Sequence, residues 1–507
     1  MLWLYKKYIN ELFCLVAGSV IPLAFAPYNY YILAIISPAC LLNIWSSSKP
    51  RDAFRYGYLF GLGMFGAGVN WLHISINMFG GVNLIGSLLL TLLLVLYLAL
   101  YPAMVGYLGR RLFASSRPVF LLVAIPALWV VAEWCRAWMF TGFPWLQLGY
   151  SQIDSPVQGL AAVSGVYGVS WVVMITAGLL VFLFHSNNRR RIFVVLSITV
   201  LWISVWSIKD KDWTQVSHSN VSVALIQAGI PQELKWKREL RKQSLDLYLA
   251  LTKPHWGADL IIWPETAIPA FYHQMEDFMH KLHGLAQSNN SSLLVGIPVK
   301  NLETDKYYNS AVMLNDDTSM YYKHHLVPFG EYLPFDSLLR PFLNFLEIPM
   351  SDFSPAENMT PVLNSHDISA GVSICYEGTF GREVMQALPA ANVLVNISND
   401  AWFGDSIAPH QHLQMARFRA LEAGRYMLRS TNTGITAIID EKGNIIKRSA
   451  QFRPASLSAR ISLFQGSTPY VRLGDLPVIL ITLALLSGIV FYTRYKAIAK
   501  RNNNTAV

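Results

Sequence analysis

The chain has 507 residues, of which 53% are apolar and only 14% charged, and it carries a formal net charge of +9. That composition excludes an ordinary soluble enzyme. Much of the positive excess gathers in short segments between apolar runs, where the positive-inside rule accounts for it, so it does not point to a nucleic-acid partner.

Seven apolar runs precede residue 209, at about 8–26, 30–46, 53–76, 83–109, 118–138, 163–185 and 192–208, and an eighth covers 476–493. Most reach the roughly 20 residues that a helix needs to cross a ~30 Å hydrocarbon core. The second is short, and the third is rich in Gly and carries Asn70 and His73. Lys6 and Lys7 precede the first run, Lys49, Arg51 and Arg55 follow the second, and Arg110, Arg111 and Arg117 follow the fourth. Arg189, Arg190 and Arg191 follow the sixth, and Arg494, Lys496, Lys500 and Arg501 follow the last. The alternate segments 27–29, 77–82 and 139–162 hold no Lys or Arg. The pattern predicts eight transmembrane helices with both termini cytoplasmic and a polar middle outside. The first run lacks a small-residue cleavage site, which argues against a removable signal peptide. The expected organisation is a seven-helix transmembrane domain (1–208), an extracytoplasmic domain (209–474), and a last helix with a cytoplasmic tail (475–507).

In the polar middle, strands alternate with helices. Apolar or alternating runs predict strands at 221–226, 260–263, 292–297, 310–314, 368–375, 393–397 and 435–439, with helices over 232–252, 273–288 and 409–428. In the last helix Leu413, Ala416, Ala420 and Leu421 share a face. Asp440-Glu441-Lys442-Gly443-Asn444 predicts a hairpin turn. The pattern is that of one α/β domain with buried strands.

Of four cysteines only Cys375 lies in this domain; Cys14, Cys40 and Cys135 lie in the apolar runs. A thiol outside the cytoplasm is usually paired, and Cys375 has no partner within its domain. It ends an apolar strand in Gly371-Val372-Ser373-Ile374-Cys375-Tyr376-Glu377-Gly378, which makes it a candidate nucleophile. A thiol attacks as thiolate and needs a base or a lowered pKa. One source is a histidine: His324, His325, His410 or His412. His410 and His412 also have metal-ligand spacing, but without further ligands a solvated or helix-capping role is expected. The other source is a carboxylate with a lysine. Glu265 follows the strand-like Leu260-Ile261-Ile262-Trp263 after Pro264, so it falls at a carboxyl end, where α/β sites collect. Lys323 lies in Tyr321-Tyr322-Lys323-His324-His325-Leu326-Val327-Pro328-Phe329-Gly330-Glu331.

Trp-Pro-Glu at 263–265, Tyr-Lys-x-x-Leu-Val-Pro-Phe-Gly-Glu at 322–331 and Ile-Cys-Tyr-Glu at 374–377 resemble the three blocks of a nitrilase-superfamily domain. With eight spans around such a domain, essentially the whole chain resembles one branch, the bacterial apolipoprotein N-acyltransferases. Gly142-Phe143-Pro144-Trp145-Leu146, Asn399-Asp400-Ala401-Trp402-Phe403 and the stretch from Arg417 to Arg425 support the same resemblance.

The resemblance implies a four-layer α-β-β-α sandwich and a Glu-Lys-Cys triad: Cys375 the nucleophile, Glu265 the general base and then acid, and Lys323 the oxyanion stabiliser. Glu331 and Glu377 would support the triad, Tyr376 would supply a backbone amide and a wall, and Trp236 would lie near the pocket. The implied reaction moves an acyl chain from a membrane phospholipid, through a thioester on Cys375, to the α-amine of a lipoprotein's diacylglyceryl-cysteine, with no metal or cofactor. Two rivals remain: a membrane-tethered amidase using the same triad, and a transporter with an outer binding module. The scarcity of charges in the spans, without matched broken helices, counts against the transporter. Leu338–Leu346 is unusually apolar for an external loop, and is expected either to dip into the membrane interface as a lid, with Trp402 and Phe403 as a second edge, or to pack as a helix on the core. Glu133 and Arg136, three residues apart near the outer end of the fifth span, form either a structural ion pair or a head-group site.

Overall fold

The computed structural model describes residues 2–505 except 115, 316, 333–352, 358 and 360. The apolar segment 338–346 lies outside the described residues. Two compact units are present. One comprises Met1–Asn70, Leu88–Lys211 and Leu473–Val507, the other Trp71–Ser87 and Asp212–Arg472.

The first unit is helical. Among the described residues, five helices are long and apolar enough to cross a membrane, and six if one bent pair is a single span. The five are Lys7–Ala24, Leu84–Leu112, Arg117–Arg136, Gln158–His185 and Leu476–Lys496. A shorter apolar helix, Leu33–Trp45, corresponds to the short second run. The third apolar run is not one helix. Pro50–Gly68 and Leu72–Phe79 meet at 53°, because Val69 leaves the helical region (φ −129°, ψ 16°) just before the polar Asn70. The second piece, Leu72–Phe79, belongs to the other unit. Glu133 and Arg136 are both buried and fasten the loop that follows their helix. Glu133 Oε1 accepts from the Leu148 amide at 2.8 Å, and Arg136 donates to the Phe143 carbonyl at 2.7 Å and to that of Trp145.

The second unit is built on two six-stranded sheets. The strands of the first are β1 (Thr214–Gln227), β2 (Leu260–Ile262), β3 (Ser292–Gly296), β6 (Ser310–Leu314), β7 (Thr318–Tyr322) and β14 (Ala455–Gly466), in the order β14-β1-β2-β3-β6-β7. A separate pair joins β4 (Val299–Lys300) to β5 (Tyr307–Tyr308). The second sheet holds β8 (Val362–Ser365), β9 (Ile368–Ile374), β10 (Val393–Ser398), β11 (Met427–Thr431), β12 (Ala437–Ile439) and β13 (Ile445–Arg448), in the order β13-β12-β11-β10-β9-β8. In each sheet three central strands run parallel: β1, β2 and β3 in the first, β9, β10 and β11 in the second.

Period-two alternation sorts the side chains into layers. Leu260 and Ile262 of β2 face Val395 and Ile397 of β10 across the core between the sheets. Ile261 turns outward onto Leu245, Tyr248, Met279 and Leu282 of the helices Arg241–Thr252 and Glu276–Ser288. Leu394 turns the other way onto Leu413, Ala416 and Ala420 of the helix Ala408–Ala423. Each such fully buried aliphatic side chain contributes about 1.5–3 kcal/mol. The architecture is the α-β-β-α sandwich that the resemblance implied.

Several elements differ from the sequence reading. The helix expected over 232–252 is interrupted by a tight turn at Arg238–Leu240. The one expected over 409–428 stops at Ala423, where Gly424 takes the left-handed conformation (φ +61°), and β11 follows. The strand at 435–439 begins at Ala437, and the predicted turn joins it to β13 through Asp440, whose carboxylate accepts from the Lys442 and Asn444 amides.

Candidate active site

Three strand ends converge. β2 ends before Trp263 and Pro264 and delivers Glu265. Trp263 is anchored by stacking on Tyr248 and by a 2.9 Å bond to Thr252 Oγ1. β3 passes beneath with Gly296, where a Cβ would stand only 2.4 Å from the Pro264 carbonyl oxygen and 2.7 Å from Glu265 Cα. Only glycine permits that approach. β7 ends before Lys323, whose amide donates to the Asn309 carbonyl at 2.8 Å. β9 ends before Cys375, which holds φ +53° at the start of a short turn of helix. A left-handed non-glycine residue costs roughly 1–2 kcal/mol and persists only where its surroundings fix it.

The three side chains are buried together. Glu265, Lys323 and Cys375 are 6%, 1% and 8% exposed. Lys323 Nζ lies 3.8 Å from Glu265 Oε1 and 2.8 Å from both Glu331 oxygens. Burial pushes the Lys323 ammonium pKa down, but Glu331 and Glu265 more than reverse this and hold it above its ordinary value. The lysine is therefore a permanent cation. Burial raises the Glu265 carboxyl against the pull of Lys323. The Cys375 thiol is pushed up to about 12, by burial first and then by the Glu265 carboxylate. The Cys375 group is thus a thiol and not a standing thiolate.

Glu331 pairs with Lys323 and accepts from the Val327 amide at 2.8 Å. Glu377 works through the backbone. It accepts from Tyr321 Oη and the His324 and His325 amides at 2.9, 2.7 and 3.1 Å, and from the Ile374 amide at 2.7 Å. One buried carboxylate so ties the segment carrying Lys323 to the strand end carrying Cys375. Tyr376 packs on Phe380 and His325. Trp236 is half-buried, and its Nε1 has no partner among the described residues. Trp402 and Phe403 pack on Phe79 and Trp71 at 4.9 and 4.8 Å, and Ser75 donates to the Trp402 carbonyl at 2.5 Å.

The histidines are deployed differently from expectation. His324 Nδ1 contacts the Ala356 carbonyl, His325 bonds to Glu383, and His410 contacts Gln451. His412 is neither solvated nor a cap: it is buried, next to Asp400 and Arg429, and meets the cysteine at its carbonyl oxygen.

Four further residues join the site. Asn309 donates to Glu265 Oε1 at 2.7 Å and to Glu331 Oε1 at 3.0 Å. Lys235 donates to the Glu265 carbonyl and to Thr266 Oγ1. Ser398 bonds to Cys375 and, at 2.9 Å, to Asp400, and Asn396 donates to the Cys375 carbonyl. The available signal was the polar residue inside an apolar strand, as in Val393-Leu394-Val395-Asn396-Ile397-Ser398.

Comparison with known proteins gives the family. Residues 222–465 match the carbon-nitrogen hydrolase family, and residues 17–179 match the apolipoprotein N-acyltransferase N-terminal domain. The chain is 42% identical over 94% of its length to an apolipoprotein N-acyltransferase of Methylococcus capsulatus, covering 94% of that protein. It is 39% identical to one of Vibrio cholerae over 95% of this chain and 96% of that one, and 40% identical to one of Coxiella burnetii over 94% and 99%. The solved structure of Saccharomyces cerevisiae Nit3, a member of branch 10 of the nitrilase superfamily, aligns with 49% of this chain and 91% of its own at 20% identity and TM-score 0.38. The sandwich and the family match define a carbon-nitrogen hydrolase domain, here carried on a chain with several helices long and apolar enough to cross a membrane. Within that class, the chain belongs to the apolipoprotein N-acyltransferase family.

Proposed function

We propose that the protein transfers an acyl chain from a membrane phospholipid to the α-amine of the N-terminal diacylglyceryl-cysteine of apolipoproteins. The observation that carries the mechanism is the convergence of Glu265, Lys323 and Cys375 from three separate strand ends, in a chain of this family.

Glu265 takes the thiol proton as Cys375 Sγ attacks the ester carbonyl carbon, because a thiol pushed up to about 12 is not a standing thiolate. The carbonyl oxygen becomes an oxyanion facing the Lys323 ammonium and the Tyr376 amide. The C–O bond breaks, Glu265 returns the proton to the leaving alcohol, and a lysophospholipid departs from the thioester. The lipoprotein amine then attacks the thioester carbonyl. Glu265 takes the amine proton, the C–S bond breaks, and the proton passes to Sγ. Thioester to amide is downhill, so the transfer draws on no further energy source. Glu331 and Glu377 keep Lys323 charged and aimed, and Trp236 borders the pocket.

The Lys and Arg between the apolar runs support a reading of eight spans, with both termini in the cytoplasm of a bacterial inner membrane and the catalytic domain, residues 209–474, in the periplasm. A site for two lipids belongs at a bilayer, since extracting an acyl chain costs about 0.8 kcal/mol per CH₂.

Intact-protein mass spectrometry after mixing with phospholipid tests the reading. The expected result is one acyl mass, removed by hydroxylamine, missing in Cys375→Ala, and discharged by a diacylglyceryl-cysteine peptide. Discharge by water alone would make the protein a hydrolase. An active Cys375→Ala would remove Cys375 as nucleophile.

A further inference from the structure

Cys375 opens the short turn of helix Cys375–Thr379 directly after β9. Its left-handed backbone (φ +53°) follows directly on the last residue of β9, so something outside the local chain must hold it. Its carbonyl oxygen supplies the grip. It accepts from His412 Nε2 at 3.2 Å and from Asn396 Nδ2 at 3.4 Å.

We propose that His412 is a positioning residue that clamps the Cys375–Tyr376 peptide plane, and through it aims both the cysteine and the Tyr376 amide. The inference rests on the reading of Cys375 as nucleophile.

The hydrogen-bond bookkeeping fixes the proton on Nε2. A carbonyl only accepts, so Nε2 carries a proton. Arg429 only donates, and its Nη2 lies 3.0 Å from Nδ1, so in the neutral ring Nδ1 accepts. Arg429 is itself held by both Asp400 oxygens, at 3.1 and 2.8 Å, and Asp400 also accepts from Ser398. Should the ring take a second proton, Asp400 Oδ1 stands 3.1 Å from Nδ1 to receive the new N–H. Nε2 donates to Cys375 in either state. His412, Asp400 and Arg429 are at most 1% exposed, so no water competes for these bonds.

The consequence reaches the reaction through the geometry of the amide. The Cys375–Tyr376 bond is trans, so its N–H points opposite its C=O. Pulling the carbonyl toward β10 and the helix Ala408–Ala423 turns the Tyr376 N–H the other way. Donors on the carbonyl also polarise the amide and strengthen that N–H as a donor. A histidine that merely filled the core would do neither.

The test uses the full-length protein in detergent micelles with phosphatidylethanolamine as donor, and follows acylation of Cys375 by mass in single turnovers, per mole of folded protein. His412→Leu is expected to slow acylation about 10- to 100-fold, below the loss from deleting an oxyanion donor outright, with KM unchanged. His412→Gln, which keeps a donor within reach, restores most of the rate. Should the leucine variant not fold, His412→Asn, polar but one methylene short of Gln, gives the same contrast. Equal losses in the Gln and Asn variants, or a leucine variant acylating at the wild-type rate, would overturn the clamp. Either result beside an inert Cys375→Ala leaves the nucleophile standing, whereas an acylated Cys375→Ala overturns the triad itself.

Discussion

Lys235 Nζ donates to the backbone carbonyl of Glu265 across 3.1 Å, and its second bond, 2.6 Å to Thr266 Oγ1, holds the next residue at φ +46°. A buried ammonium thus secures the stem of the proposed base. Burial lowers its pKa to about 8 from 10.5, against the attraction of Glu265. Between those values the unfolded chain holds a proton that the folded one has released, so stability rises with pH through that window. The penalty is fully present below about pH 8 and amounts to about 3 kcal/mol. Lys235→Met lacks it. The wild-type Tm should therefore gain on that of the variant between about pH 8 and about pH 10.5, as measured by thermal melts of both. A constant difference would show that Lys235 stays charged throughout.

Glu377 is expected to be intolerant of even Glu377→Gln. Its carboxylate serves only as acceptor, for Tyr321 Oη and three backbone amides. A glutamine would keep its oxygen toward the three donors near Lys323 and turn its NH₂ against the Ile374 amide. One buried donor would then be orphaned, at a cost of about 1–3 kcal/mol. The joint between β9 and the Lys323 segment would loosen with it. Acylation should fall by about 100-fold or more, and Tm should drop with it. A variant that kept its rate while losing Tm would make the joint purely structural.

Much of the second unit was readable because the proposed site residues sit where the sequence punctuates itself. Leu260–Ile262 is a buried apolar run stopped by Pro264, and the residue after the stop is Glu265. Cys375 likewise follows an unbroken apolar strand. The edge strands β7 and β14 were not anticipated, because half-exposed strands carry Thr, Ser and Arg that dilute the apolar signal. β11 was absorbed into the preceding helix, since Met427 and Leu428 continue an apolar spacing that only Gly424 interrupts. The partners of the triad were invisible for another reason. Lys235 reaches Glu265 across 30 residues and Asn309 reaches it across 44, and no local pattern reports where a side chain travels in the fold. The third apolar run read as one span, while its end, Leu72–Phe79, packs on Trp402 and Phe403 of the catalytic unit.

Asn309 predicts a displaced pH profile. Burial raises the Glu265 carboxyl, while Lys323, and then the bond from Asn309 Nδ2, act to lower it. Asn309→Leu removes that bond, so the carboxyl should rise further. A base works only when ionised, so the acid limb of the acylation rate should move to higher pH. The sign is the informative part. A limb that moved to lower pH, or one set by another group and left in place, would separate Glu265 from the proton transfer.

Gly296 tests the same carboxylate from beneath, without touching a titratable group. An alanine methyl there would sit 2.4 Å from the Pro264 carbonyl oxygen, 2.6 Å from the Thr266 nitrogen and 2.7 Å from Glu265 Cα. All three are backbone atoms, so no rotamer change relieves the clash; either β3 or the turn after β2 must move. Overpacking of this kind costs typically about 1–3 kcal/mol. The displaced turn carries Glu265, Thr266 and the carbonyl that Lys235 holds. Gly296→Ala should therefore lower acylation far more than its loss of stability explains, at temperatures where the variant is fully folded. The comparison is Gly371→Ala, whose methyl would meet Ala387 Cβ at 2.8 Å and Leu394 Cδ2 at 2.9 Å on the outer face of β9. That variant should lose stability to a similar degree and acylate at close to the wild-type rate once folded. Equal losses of rate in the two would mean that general destabilisation, and not the seat of Glu265, is what Gly296 protects.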